Sequence, residues 1–231
     1  MTDLRTEAVP LVDGGTLRLT VAEPLGAVRG GIVVLHEARG VTDAVRGLVH
    51  SLAAEGWLAV APHLYHRDGA DELDGDDGQV QQQVDKLDGE QVMTDTDTAF
   101  DWLAEHDIST DRMGVIGFDL GGTVALLVAT ERTLGAAVSV AGESLTEAPS
   151  AALPSLIDAA PGLTCPWLGL YGETADGESP EIKQLRDAAA SSEVAANVVV
   201  YPSSGHRFDN DPEAAADAWQ RTLNWFDSHL R

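Results

Sequence analysis

The sequence predicts an α/β chain: a mostly parallel central sheet with helices on both faces, in a single domain. Three observations carry this. Short apolar, β-rich runs alternate with amphipathic stretches, as when helices connect and cover parallel strands. The length of 231 residues suits one sizeable domain better than two, and a hydrophobic fraction of 44% supplies a core. No internal repeat or linker divides the chain.

The elements follow in order. Residues 11–21 read as a hairpin around Asp13, Gly14 and Gly15. Residues 31–36 form a buried strand, and 41–55 a helix with Thr42 as N-cap. A strand over 57–61 is stopped by Pro62, and 67–78 is an acidic loop containing glycine. The run from Gln79 to Gln83 reads as a solvated segment or the edge of a lid. A helix over about 91–106 places Val92, Ala99, Trp102 and Leu103 on its apolar face. Then come a strand over 113–117, a helix over 123–130 and strands over 136–140, 167–171 and 198–201, with a helix over 181–190 between the last two. A final helix over 212–230 has Asp211 as N-cap and Pro212 at its first position. Trp102, Trp219 and Trp225 occupy helix-face positions suited to the core.

The charge is lopsided: 38 Asp and Glu against 14 Lys and Arg give −24. Such a field repels phosphate backbones and anionic surfaces, so nucleic acid and membrane are not expected partners. Self-repulsion of this size weakens a compact fold at low salt, and ions screen it. The composition therefore resembles that of proteins from salt-rich cytoplasm; the plainer reading is an ordinary acidic soluble protein. The N-terminal residues show no basic segment leading into an apolar stretch, and no apolar run reaches the length of a membrane span. Cys165, the one cysteine, cannot form an internal disulfide, and before Pro166 it reads as a packed thiol. A cytoplasmic location is expected.

The strongest local feature is Gly117-Phe118-Asp119-Leu120-Gly121-Gly122, between a strand and a helix. This is the setting of a nucleophile elbow, where a sharp turn lifts one side chain above the sheet and small flanking residues avoid clashes. The Leu120 N–H, at a helix N-terminus, would be one oxyanion donor. The tip should be Ser or Cys and is Asp119, a residue that is also at home in ordinary turns. An acid and a histidine should follow in that order, and Asp176 and His206 do, each just past the end of a predicted strand.

With these residues in view, the chain resembles the dienelactone hydrolase family of the α/β-hydrolase fold, from about residue 11 to 230. The resemblance rests on segments 34–40, 53–57, 61–65, the elbow, 170–173 and 201–208. It implies a nucleophile at position 119, normally Cys, completed by Asp176 and His206. It also implies Glu37 beside the nucleophile and Ala38 N–H joining Leu120 N–H in the oxyanion hole. The chain departs from the family at Asp119, and at Ala175, which holds the usual spacing of the acid. Arginines that would grip a substrate carboxylate are not evident, and Asn210 stands where one would follow the histidine. Arg39, Arg207 and Phe118 are the expected substrate contacts, and the substrate is a small neutral or weakly polar molecule. No cofactor is implied, since no phosphate loop or dinucleotide fingerprint occurs. The chain is expected to act as a monomer or a small homo-oligomer.

Three readings of Asp119 stay open. Attack on an ester by a carboxylate gives an anhydride, and the intermediate tends to expel the carboxylate again. Attack on a carbon bearing halide, or on an epoxide, leaves an alkyl ester that water can hydrolyse, as in haloalkane dehalogenases and epoxide hydrolases, whose elbows are similar. Glu37 and Asp119 could instead share a proton and work on a bound water. The third reading is an inactive binding protein, or an engineered replacement of the nucleophile. The histidines of His63 and His66, three apart, lack an obvious third ligand and read as non-metal.

The charge reading predicts an unfolding temperature that rises between about 0.1 M and about 2 M KCl, followed by circular dichroism. A temperature independent of salt identifies an ordinary acidic protein.

Overall fold

In the computed structural model, which describes residues 3–12, 14–148, 154–173, 177–202, 205 and 208–231, the apolar runs become strands of one sheet. A hairpin comes first, β1 (Leu4–Pro10) and β2 (Thr16–Ala22), with Pro10 opposite Thr16. The hairpin therefore starts earlier than expected, with residues 11, 12, 14 and 15 between its strands and Asp13 outside the described residues. The parallel strands follow: β3 (Gly31–Leu35), β4 (Leu58–Pro62), β5 (Met113–Phe118), β6 (Ala136–Val140), β7 (Trp167–Gly172) and β8 (Ala196–Tyr201). The order is β1-β2-β4-β3-β5-β6-β7-β8, with β2 antiparallel to β4 and every pair from β4 to β8 parallel. Pro62 does not stop β4; it is its last residue.

The helices are α1 (Asp43–Ala54), α2 (Asp77–Val84), α3 (Gly89–Glu105), α4 (Leu120–Glu131), α5 (Leu156–Ala159), α6 (Pro180–Ala190) and α7 (Pro212–His229). Thr42 caps α1 and Asp211 caps α7, with Pro212 in its first turn. The expected loop over 67–78 is a single 3-10 turn (His66–Asp68) and a short crossing that ends in α2. The glutamine run lies in that helix. Asp76 accepts from Gln79 N–H while the Gln79 side chain accepts from Asp76 N–H, a reciprocal cap that starts a helix having only Val80 buried. The elbow helix α4 starts at Leu120, three residues earlier than expected, and α5 was not expected.

Strand geometry sends neighbouring residues to opposite faces. Val33 and Leu35 join the core built with α3, α4 and α6; Ile32 and Val34 join the one built with α1 and α7. Val49, Leu52 and Phe226 are fully buried, and each such side chain contributes about 1.5–3 kcal/mol. Trp102 is buried in the first core, while Trp219 and Trp225 pack against the second. Among the described residues, no helix is long and apolar enough to cross a membrane.

The two histidines after β4 are held by neighbours. His63 bonds to Thr20 at 2.8 Å and to Asp71, and His66 to Asp95 at 3.0 Å. Asp95, buried in α3, is also gripped at both oxygens by Arg67 at 2.6 and 2.9 Å. Arg67→Ala would leave that buried carboxylate its His66 contact and take away its guanidinium. The guanidinium is 29% exposed, so a loss of about 2–3 kcal/mol is expected from urea unfolding.

Candidate active site

The end of β5 turns into α4 within one residue. Asp119 sits there at φ 48°, ψ −111°, a backbone conformation that a residue with a side chain adopts only under constraint. Two close approaches supply the constraint. A Cβ on Gly117 would lie 1.9 Å from the Gly121 carbonyl oxygen, and one on Gly121 would lie 2.3 Å from that of Leu35. Only glycine lets α4 start so close to the ends of β3 and β5. Asp119 N–H donates to Val140 at 2.9 Å, and Thr123 N–H donates to Asp119 at 3.0 Å. The Thr123 hydroxyl donates to the Glu143 carbonyl at 3.0 Å and accepts from its N–H at 2.9 Å, tying the first turn of α4 to the segment after β6.

An aspartate at a helix start commonly caps the helix. The Asp119 side chain makes no cap hydrogen bond to α4. It lines two cavities, both shared with Glu37. The first, about 250 Å³, is walled by Ala44, Val45, Leu48, Phe118, Val140, Ala141 and Phe208. The second, about 280 Å³, lies toward α2 and is more polar, with Ala38, Arg39, Asp77, Gln81, Leu120 and Glu143 among its walls. The sequence-expected Glu37, Ala38, Arg39, Phe118, Asp119 and Leu120 thus converge. Arg39 is half-buried, with its guanidinium on the carbonyls of Leu73 and Gly75 at 3.3 and 3.1 Å and on Asp77 at 2.7 Å.

Asp176, His206 and Arg207 lie outside the described residues. Their flanks do not. The parallel strands β7 and β8 end on the same side of the sheet as β5. Beyond them, Glu173 N–H donates to Tyr201 and Gly205 N–H donates to Glu173, each at 2.8 Å. Glu173, just past β7, is therefore bonded to the end of β8 and to Gly205, and Phe208 returns to the first cavity.

Apart from Phe118, the apolar walls of that cavity were not read as functional. Ala44, Val45 and Leu48 form a helical i, i+1, i+4 stripe that looks like ordinary core, and Val140 with Ala141 looks like a strand end. Ala141 carries one signal only coordinates reveal, a φ of 51°. Cys165 lies far in sequence from these walls, 1% exposed, with burial pushing its thiol up to about 11.

Against this geometry the relatives are informative. A model of the dienelactone hydrolase family matches residues 17–230. The chain belongs to the dienelactone hydrolase family. A Yersinia pestis protein provisionally named a carboxymethylenebutenolidase is 34% identical over 208 residues, covering 86% of this chain and 78% of its own. An Escherichia coli K12 protein with the same provisional name is 33% identical over 206 residues, covering 84% and 75%. The crystal structure of a provisionally named dienelactone hydrolase from Klebsiella pneumoniae superposes with a TM-score of 0.88 at 32% identity, covering 98% of this chain and 99% of that one. This family member has the α/β-hydrolase fold and is a dienelactone hydrolase-like hydrolase.

The turn that brings Glu37 and Ala38 to the site depends on a buried group, His36. Burial brings its imidazole down to about 4 from 6.5. The unfolded chain therefore binds a proton in this window that the folded one does not. Its stability is full above about pH 6.5 and is lost as pH falls toward 4. From pH 7 to pH 5, His36 should remove about 2 kcal/mol. Urea unfolding of the wild type and His36→Asn at both pH values checks this: the variant should lose less by about that amount.

Proposed function

We propose that this protein hydrolyses an ester or lactone of a small, neutral, mainly apolar substrate at Asp119. The observation that carries the reading is the strained elbow, which holds a non-capping carboxylate between two cavities rather than against its own helix. In this reading the apolar cavity takes the body of the substrate. Ala38 N–H and Leu120 N–H receive the carbonyl oxygen as charge develops on it. Direct attack by Asp119 would give an anhydride that reverts, so the carboxylate, paired with Glu37, takes a proton from water instead. The water oxygen bonds to the carbonyl carbon, the carbon–oxygen bond to the leaving group breaks, and the proton taken from water passes from the carboxylate pair through His206, oriented by Asp176, to the departing alkoxide. A neutral substrate is favoured because the Arg39 guanidinium is already engaged by two carbonyls and Asp77.

The predominantly apolar first cavity also favours a second reading. An alkyl halide or epoxide there would be displaced by Asp119, leaving an alkyl ester for water to cleave. Turnover in ¹⁸O-labelled water separates the two. Water activation leaves the Asp119 peptide unlabelled after many cycles, whereas an alkyl ester carries label into its carboxylate. Both readings expect Asp119→Asn to lower kcat by about 10²–10⁴-fold without loss of fold. Esters turned over by Asp119→Cys and not by the wild type would overturn the ester reading and support a lost nucleophile.

A further inference from the structure

The peptide unit between Glu37 and Ala38 is gripped from behind. His36 is wholly buried, and its Nε2 accepts from Leu64 N–H at 3.2 Å. An accepting Nε2 leaves the proton of the neutral ring on Nδ1, which lies 2.7 Å from the Glu37 carbonyl and so donates to it. Gly40 N–H donates to the same oxygen at 3.0 Å. The next carbonyl, that of Ala38, accepts from the Tyr65 hydroxyl at 2.7 Å. The Tyr65 and His36 rings pack together with centroids 5.3 Å apart, and Tyr65 is itself buried.

In a planar trans peptide the C=O and the following N–H point in opposite directions. With the Glu37 carbonyl turned toward a buried imidazole, Ala38 N–H is turned away from it, toward the cavity that Ala38 lines with Asp119 and Leu120. Among the described residues the chain offers that N–H no acceptor. A donor facing a cavity can stabilise developing charge only if its direction is fixed beforehand.

We propose that His36 and Tyr65 are positioning residues for this site: by holding the carbonyls on either side of Ala38, they aim its N–H as an oxyanion donor. Neither touches the substrate. The inference rests on the ester-hydrolysis reading of the site and predicts effects on the transition state rather than on substrate binding.

The test uses Tyr65→Phe, His36→Leu and His36→Asn, each made in the wild type and in Asp119→Cys, with p-nitrophenyl acetate as probe. Asparagine places an amide donor near the position of Nδ1, while leucine has none. Tyr65→Phe should lower kcat about 10-fold with KM within about twofold, and His36→Leu about 100-fold, with His36→Asn recovering most of the loss. Thermal unfolding shows which variants keep the fold. If the wild type is inert and Asp119→Cys is active, the reading of Asp119 fails while the positioning effect is still measured on the cysteine. The proposal is overturned if folded variants raise KM and leave kcat unchanged, if His36→Asn is no better than His36→Leu, or if neither background turns the ester over.

Discussion

The arrangement depends on one close approach of main chain to main chain. The first turn of α4 comes so near the end of β3 that a methyl group on Gly121 would overlap the Leu35 carbonyl. That contact makes the turn at residue 119 sharp, puts Asp119 at a strained φ and brings it beside Glu37 and Ala38, two and three residues past the end of β3. The strain is local, and the restraint around it is broad. The Val140 carbonyl holds the Asp119 N–H, Thr123 links α4 to the segment after β6, and nearly all of α4 is buried. A buried helix and two neighbouring strands together keep a conformation that Asp119 would not choose alone.

The same economy appears in the loop after β3. Between His36 and Val41 the chain makes no regular element, yet several of its backbone groups are bound from outside the segment. Leu73 N–H reaches the Arg39 carbonyl and Val41 N–H reaches Asp71, both at 2.9 Å. The segment before α2 thus forms the outer wall of the loop, and the imidazole and phenol form the inner one. The site lies where a strand end, a helix start and this doubly held loop meet, with its walls drawn from distant parts of the chain.

What the sequence made legible follows from burial. Strands β3 and β6 are fully buried and β5 is buried up to Phe118, apolar runs with little to imitate them, and they were read to within a residue of their ends. The helix α2 was missed because its composition is polar and it buries only Val80, so no apolar stripe marks it. The one available sign was the Asp76–Gln79 spacing of a reciprocal cap. The start of α4 was misjudged for the opposite reason: it is buried on every side, so its apolar residues show no period. At the site, the glycine pattern marked the elbow and chain order marked the loops after β7 and β8. The walls of the apolar cavity carried no comparable mark, because Ala44, Val45 and Leu48 are the residues any core-facing helix would have. His36 and Tyr65 were legible only as a buried strand end and a loop residue; their role lies in hydrogen-bond direction.

The seclusion of Cys165 has a practical consequence. The chain's only sulfhydryl is almost wholly shielded and holds its proton far above neutral pH, so it gives alkylating reagents no thiolate to meet. The molecule therefore presents a blank background for labelling: a cysteine placed by design at any exposed point would be the one handle available to a fluorophore, a spin label or a cross-linker.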